Sequence, residues 1–104
     1  MIINLSNEPV SVKEGDTIVT YPAAQESEIA YLSDIVGEIN GVPIINYELK
    51  VKNLPEPKEG IYYIVNKDVM DASPDRKDLI RPNLSRANRD QFNRITYITC
   101  WVSN

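Results

Sequence analysis

Ile61-Tyr62-Tyr63-Ile64-Val65, running directly into Asn66-Lys67-Asp68-Val69-Met70-Asp71-Ala72 and stopped by Pro74, is the stretch on which the fold turns. Its first five residues carry no polar interruption, which predicts a central strand covered on both faces. Asn66 is a helix N-cap residue, and Lys67 to Ala72 have room for one or two helical turns before Pro74 forbids continuation. Asp68 falls where the helix dipole favours an acid. A buried strand feeding a short helix therefore anchors the chain.

Working upstream, Leu54-Pro55-Glu56-Pro57-Lys58-Glu59-Gly60 reads as a stiff connector, because each proline fixes φ and disfavours helix in the residue before it. Before it, Ile45, Tyr47, Leu49 and Val51 alternate with Asn46, Glu48, Lys50 and Lys52, the two-residue period of a strand with one wet face. Asn40-Gly41 separates this strand from the β-rich run Ile29 to Ile39. That dipeptide predicts a hairpin, since a type I′ turn requires positive φ at both central residues. Pro43 cannot donate to a ladder, so its amide position must face away from a partner. A second hairpin is predicted around Glu14-Gly15-Asp16, between Val10 and Tyr21, and Ile2 to Leu5 is a first strand.

Downstream, Pro74 to Arg94 is polar, proline-punctuated and arginine-rich. It reads as a long surface loop with a second short helix near Ser85 to Gln91. Ile95 to Val102 reads as a final strand returning to the sheet, with Cys100 in it as a small buried hydrophobe. Residues 1–104 then form one domain, since neither half has enough residues for its own core. The expected class is α+β and predominantly β: a small antiparallel or mixed sheet, or a partly closed barrel, with one short helix and a long arginine-rich loop.

Composition narrows the chemistry. The 104 residues are 42% apolar and 25% charged, ordinary for a globular domain. They contain no histidine and a single cysteine, which removes histidine-assisted catalysis, most zinc sites and an internal disulfide. No GxGxxG, GxxxxGKS/T, CxxC or GxSxG motif occurs. No apolar run approaches the roughly 20 residues of a membrane-spanning helix, and the opening MIINLSNEPV has no signal-peptide character. A cytoplasmic, non-enzymatic protein with no cofactor, metal site or membrane partner is expected.

Charge is unevenly placed. Residues 1 to 60 carry a net −6 and residues 61 to 104 a net +2, and all five arginines, Arg76, Arg81, Arg86, Arg89 and Arg94, fall within nineteen residues. Guanidinium groups suit bidentate capture of phosphate or carboxylate, so these five are the candidate ligand-binding residues for an anionic small ligand or an acidic protein surface. The competing reading is a set of solvated loop pairs, Arg76 with Asp75 or Asp78 and Arg89 with Asp90. Three acids dilute the segment, and the chain as a whole is acidic, which argues against duplex nucleic acid. Asp68, Asp71, Asp75 and Asp78 would gather on one helix, but Pro74 breaks it, and a magnesium-dependent hydrolase using Asp75 and Asp78 is set aside. Tyr62, Tyr63 and Tyr97 lie nearest the arginines in sequence and are candidates for stacking on a base.

The segments IINLSNEPV, VGEINGVPI, LPEPKEGIYYIVN and PDRKDLIRP, in this order, resemble a family of small proteins encoded by tailed bacteriophages and prophages, whose members often open with INLTPH. Here Ser6, Asn7 and Glu8 stand in place of the threonine, proline and histidine, and Asn93 in place of a late turn glycine. The resemblance implies an accessory product acting in the cytoplasm of the host bacterium, and brings no activity with it. Two functions are then expected in turn. The first is a binding module for a host protein or an anionic nucleotide, with self-association through exposed strand edges. The second is a minor structural or assembly component of the virion.

Overall fold

The computed structural model describes the backbone of residues 1–104 and the side chains of all but residues 35 and 46–49. The elements are β1 (Ile2–Asn4), β2 (Val10–Glu14), β3 (Thr17–Tyr21), β4 (Tyr31–Ile39), β5 (Val42–Lys52), β6 (Tyr62–Ile64), α1 (Lys67–Ala72), β7 (Leu79–Pro82), β8 (Asn88–Arg89), β9 (Ile95–Tyr97) and β10 (Trp101–Ser103). Turns of 3-10 helix lie at Glu26–Glu28 and Leu84–Arg86. The protein is predominantly β with one short helix.

The central sheet has the order β1-β6-β7-β10. β1, β6 and β7 run parallel, and β10 is antiparallel to β7, so the sheet is mixed. Parallel neighbours need a crossover, and α1 supplies the one between β6 and β7. Its N-cap is Asn66, whose side-chain oxygen accepts from the Val69 amide at 3.0 Å. Side-chain alternation along β6 and β7 divides the core in two. Tyr63, Val65 and Leu79 join Leu5, Ala30 and the helix residues Val69 and Met70 on one face. Ile64 and Ile80 meet Val10, Val12 and Ile98 on the other. The cover predicted for Ile61 to Val65 holds from Tyr63 onward, whereas Tyr62 is half exposed.

Both predicted hairpins form. β2 and β3 are joined by Gly15-Asp16, with positive φ at Gly15. β4 and β5 are joined by Asn40 (φ 51°) and Gly41 (φ 79°), the type I′ pattern. The pair flanking a two-residue turn, Ile39 and Val42, exchanges hydrogen bonds and the next pair does not. Pro43, opposite Glu38, therefore stands where no amide is needed. The register shifts between Asp34 and Ile35. The alternation read from Ile45 to Lys52 falls partly outside the described side chains. Of its described members, Val51 packs on the first core cluster and Ile45 is exposed.

Of the two expected sheet forms the mixed sheet is the one present, since the four sheets are separate and none closes into a barrel. Four expectations require correction. Pro74 to Arg94 is not one long loop: Leu79-Ile80 is apolar enough to enter the central sheet as β7, carrying Arg81 with it. The short helix expected near Ser85 to Gln91 is instead a 3-10 turn at Leu84–Arg86 followed by β8. The final strand from Ile95 to Val102 is two strands, because β9 pairs with β8 whereas β10 pairs with β7. Between them Ile98 makes a bridge to Val12, its amide donating to the Ser11 carbonyl at 2.8 Å, and Cys100 is only half-buried.

Candidate functional site

The five arginines are placed very differently. Arg76 precedes β7 and grips Asp78 with both arms, Nε to Oδ1 at 2.9 Å and Nη2 to Oδ2 at 2.8 Å. Its Nη2 also donates to the Pro55 carbonyl at 2.8 Å, tying the proline connector to the sheet. The Arg76 hydrogen bonds hold the Asp78 carboxyl below the usual carboxylate range, and Asp78 in turn raises the guanidinium. With about a fifth of its side chain exposed, Arg76 is a staple. Asp78 is equally committed, both its oxygens being taken.

Arg89 and Arg94 belong to the β8–β9 turn. Arg94 Nε donates to Asp90 Oδ2 at 3.1 Å, and its guanidinium lies 5.0 Å from the centre of the Phe92 ring. Asp90 also accepts the amides of Phe92 and Arg94 through Oδ1. The Arg94 amide is the main reason the Asp90 carboxyl titrates below its ordinary range, with the Phe92 amide and the Arg94 guanidinium adding to it. Arg94, rather than Arg89, is thus the partner of Asp90. Arg89 Nη1 donates to the Asn93 carbonyl at 2.9 Å, and Asn93 adopts the left-handed φ of 62° required in this turn. Arg86 stands exposed on the 3-10 turn, with no carboxylate partner among the described residues.

Arg81 differs from the other four. It is half-buried on β7, its side chain has no hydrogen-bond or carboxylate partner among the described residues, and it lines a cleft of about 260 Å³. The cleft lies just past the carboxyl ends of the three parallel strands. Ser6, Asn7 and Glu8 follow β1, Asn66 and Lys67 follow β6, and Arg81 closes the third side from β7. Its floor is aliphatic, made by Val10, Ile64, Val65 and Leu84. Ligand sites of parallel sheets recur at this end of the strands, where successive connections diverge.

The first wall is held rigidly from below. Asn4, at the end of β1, is the one buried polar side chain among the described residues. Its Nδ2 donates to the carbonyls of Glu8 (2.9 Å) and Tyr21 (3.2 Å). Its Oδ1 accepts the Ser6 amide at 2.9 Å and the Ser6 hydroxyl at 2.7 Å. Four bonds from one amide fix the Ser6–Glu8 turn. On the second wall, Lys67 forms an exposed pair with Asp71 at 2.6 Å, which water and salt weaken enough for the ammonium to be shared.

Of the candidate stacking tyrosines, none lines this cleft. Tyr63 is in the core, Tyr62 flanks a groove beside Lys58 and Lys77, and Tyr97 lines a neighbouring groove with Pro82 and Leu84. Ser6, Asn7, Glu8, Asn66 and Lys67 were not among the sequence candidates. Their only local signal is the run Asn4-Leu5-Ser6, a side-chain-to-backbone turn motif directly after a strand. The described residues hold no group of three or more potential metal-ligating side chains. No helix is long and apolar enough to cross a membrane. Comparison with known protein families, with curated proteins and with solved structures returned no match.

Proposed function

We propose that the chain is a non-enzymatic binding module of phage or prophage origin, acting in the host cytoplasm, that holds a small phosphate-bearing ligand in the Arg81 cleft. The observation that carries this reading is the state of Arg81: a half-buried arginine, its side chain without a carboxylate partner among the described residues, lining the same cleft as a pre-ordered polar wall. A guanidinium fork binds phosphate bidentately, and Lys67 adds a second cation from the adjacent strand end. The aliphatic floor fits the flat, weakly polar part of a nucleotide, and Glu8 and Asn7 offer acceptors for sugar hydroxyls. At about 260 Å³ the space suits one nucleotide unit rather than a dinucleotide.

The reading is tested by amide shift mapping with adenosine 5′-monophosphate and, separately, inorganic phosphate. Saturable shifts at Ser6–Glu8, Asn66–Lys67 and Arg81–Leu84, weakening as salt is raised, are expected. Shifts centred instead on the β8–β9 turn around Arg89 and Arg94 would move the site, and no saturable shift with either probe would remove it. A second reading, a minor virion or assembly component, draws support from the 60 Å length of the molecule and its exposed apolar hairpin. Mass spectrometry of purified particles decides it by the presence of the chain.

A further inference from the structure

Beside the Arg81 cleft lies a second hollow, a groove of about 370 Å³, and the two are not independent. Glu8, Val10, Pro82 and Leu84 line both. Val10 is buried, so it belongs to a floor common to the two rather than to a crest between them. Pro82 directly follows Arg81 at the end of β7, which sets Arg81 beside the junction. The cleft therefore runs on, past Pro82, into the groove.

The groove differs from the cleft in chemistry. Ile95 and Tyr97 of β9 form one side and Pro9 lies on the other. Glu8, at the junction, is the one charged residue of its lining, which holds no lysine or arginine. An anionic group finds no partner there, whereas an uncharged ring finds the flat apolar surfaces of Tyr97, Pro9 and Pro82. The Tyr97 hydroxyl has no hydrogen-bond partner among the described residues, which suits the polar edge of a heteroaromatic base better than an alkyl chain. Both sides are pinned. The Lys13 amide donates to the Ile98 carbonyl at 3.0 Å, and Asn88 Nδ2 donates to Thr96 Oγ1 at 2.7 Å. At the junction, Asn4 Nδ2 and the Ser6 hydroxyl both donate to the Glu8 carbonyl, at 2.9 and 3.1 Å.

We propose that the ligand of the Arg81 cleft is a dinucleotide, with one nucleoside in the cleft, the bridging phosphodiester at Arg81 and the second base in the groove against Tyr97. This rests on the reading of the cleft as a phosphate site. The cleft by itself holds one nucleotide unit, and the groove gives a second unit at least as much space. Arg81 matches the single charge of the phosphodiester, and Lys67, which lines the cleft but not the groove, takes a 5′-terminal phosphate. The groove has no cation, so the second unit carries no terminal phosphate of its own. Once the first unit is seated, the second meets its groove as an intramolecular contact. Stacking on an aromatic side chain then adds affinity that any base can supply.

Calorimetric titration of adenosine 5′-monophosphate and of 5′-phosphoadenylyl-(3′→5′)-adenosine is the test, since the second probe adds only the phosphodiester and one nucleoside. The dinucleotide should bind about tenfold or more tightly. Tyr97→Phe, which keeps the ring, should retain that gain, and Tyr97→Ala should bind the two probes alike. Amide shift mapping of the unmodified chain needs no variant: the dinucleotide should shift Ser11 and Ile95 to Ile98, which the mononucleotide leaves in place. A gain that survives Tyr97→Ala, or tighter binding with no shift from Ile95 to Ile98, would overturn the proposal. Equal affinity for the two probes would remove the second unit and leave the cleft reading standing, whereas silence from both would remove the two readings together.

Discussion

Asn4 and Arg76 show how single residues set this structure from a distance. Asn4 costs the sheet an apolar position and repays it by satisfying four backbone and hydroxyl groups that would otherwise be strained or unpaired. Arg76 does the same for the proline connector, reaching Pro55 while Asp78 neutralises it. The Arg76–Asp78 pair was legible as one of two options because the residues are two apart. The role of Asn4 was not, because its partners at Tyr21 and Glu8 are brought together only by the fold. Asp78→Asn should destabilise the protein by about 1–3 kcal/mol at neutral pH, since it removes one partner of a largely buried charged hydrogen bond. The sign with pH follows from the lowered carboxyl. The stabilisation is complete above the ordinary aspartate value of 3.8 and is lost as pH falls through the lower folded value. Urea midpoints across acid pH should therefore converge for Asp78→Asn and the unmodified chain below that range.

Among the elements, those whose cause is local were readable in advance. The Asn66 cap, the stop before Pro74 and the two tight hairpins each depend on residues within a few positions of one another. Asn66→Ala should cost about 1 kcal/mol, visible as a lower urea midpoint with an unchanged slope, because the Val69 amide loses its acceptor. Elements made by distant partners were misread. Ile95 to Val102 looks continuous in sequence, yet β9 is claimed by Asn88–Arg89 and β10 by Ile80–Pro82, so the chain must break between them. Leu79-Ile80 is too short a run to announce a central strand until β6 and β10 lie on either side of it.

At the scale of the molecule, the sheet joins Ile2 to Tyr62 and Tyr63 to Leu79 in parallel register, and this long-range pairing creates the cleft. The arginine cluster in the sequence includes the residue that lines this cleft. It could not show that Arg76, Arg89 and Arg94 are consumed by internal contacts while Arg81 reaches the ends of three strands. The same pairing leaves the β4–β5 arm outside the body. Small-angle scattering of a dilute solution should accordingly give a radius of gyration well above the roughly 13 Å of a compact chain this long.

The Arg81 cleft is tested most directly by calorimetric titration of adenosine 5′-monophosphate into the unmodified chain, Arg81→Ala and Arg89→Ala. Saturable one-to-one binding is predicted for the unmodified chain and for Arg89→Ala, with affinity weakened about tenfold or more in Arg81→Ala. Equal affinity in all three proteins, or loss in Arg89→Ala with Arg81→Ala intact, would contradict it.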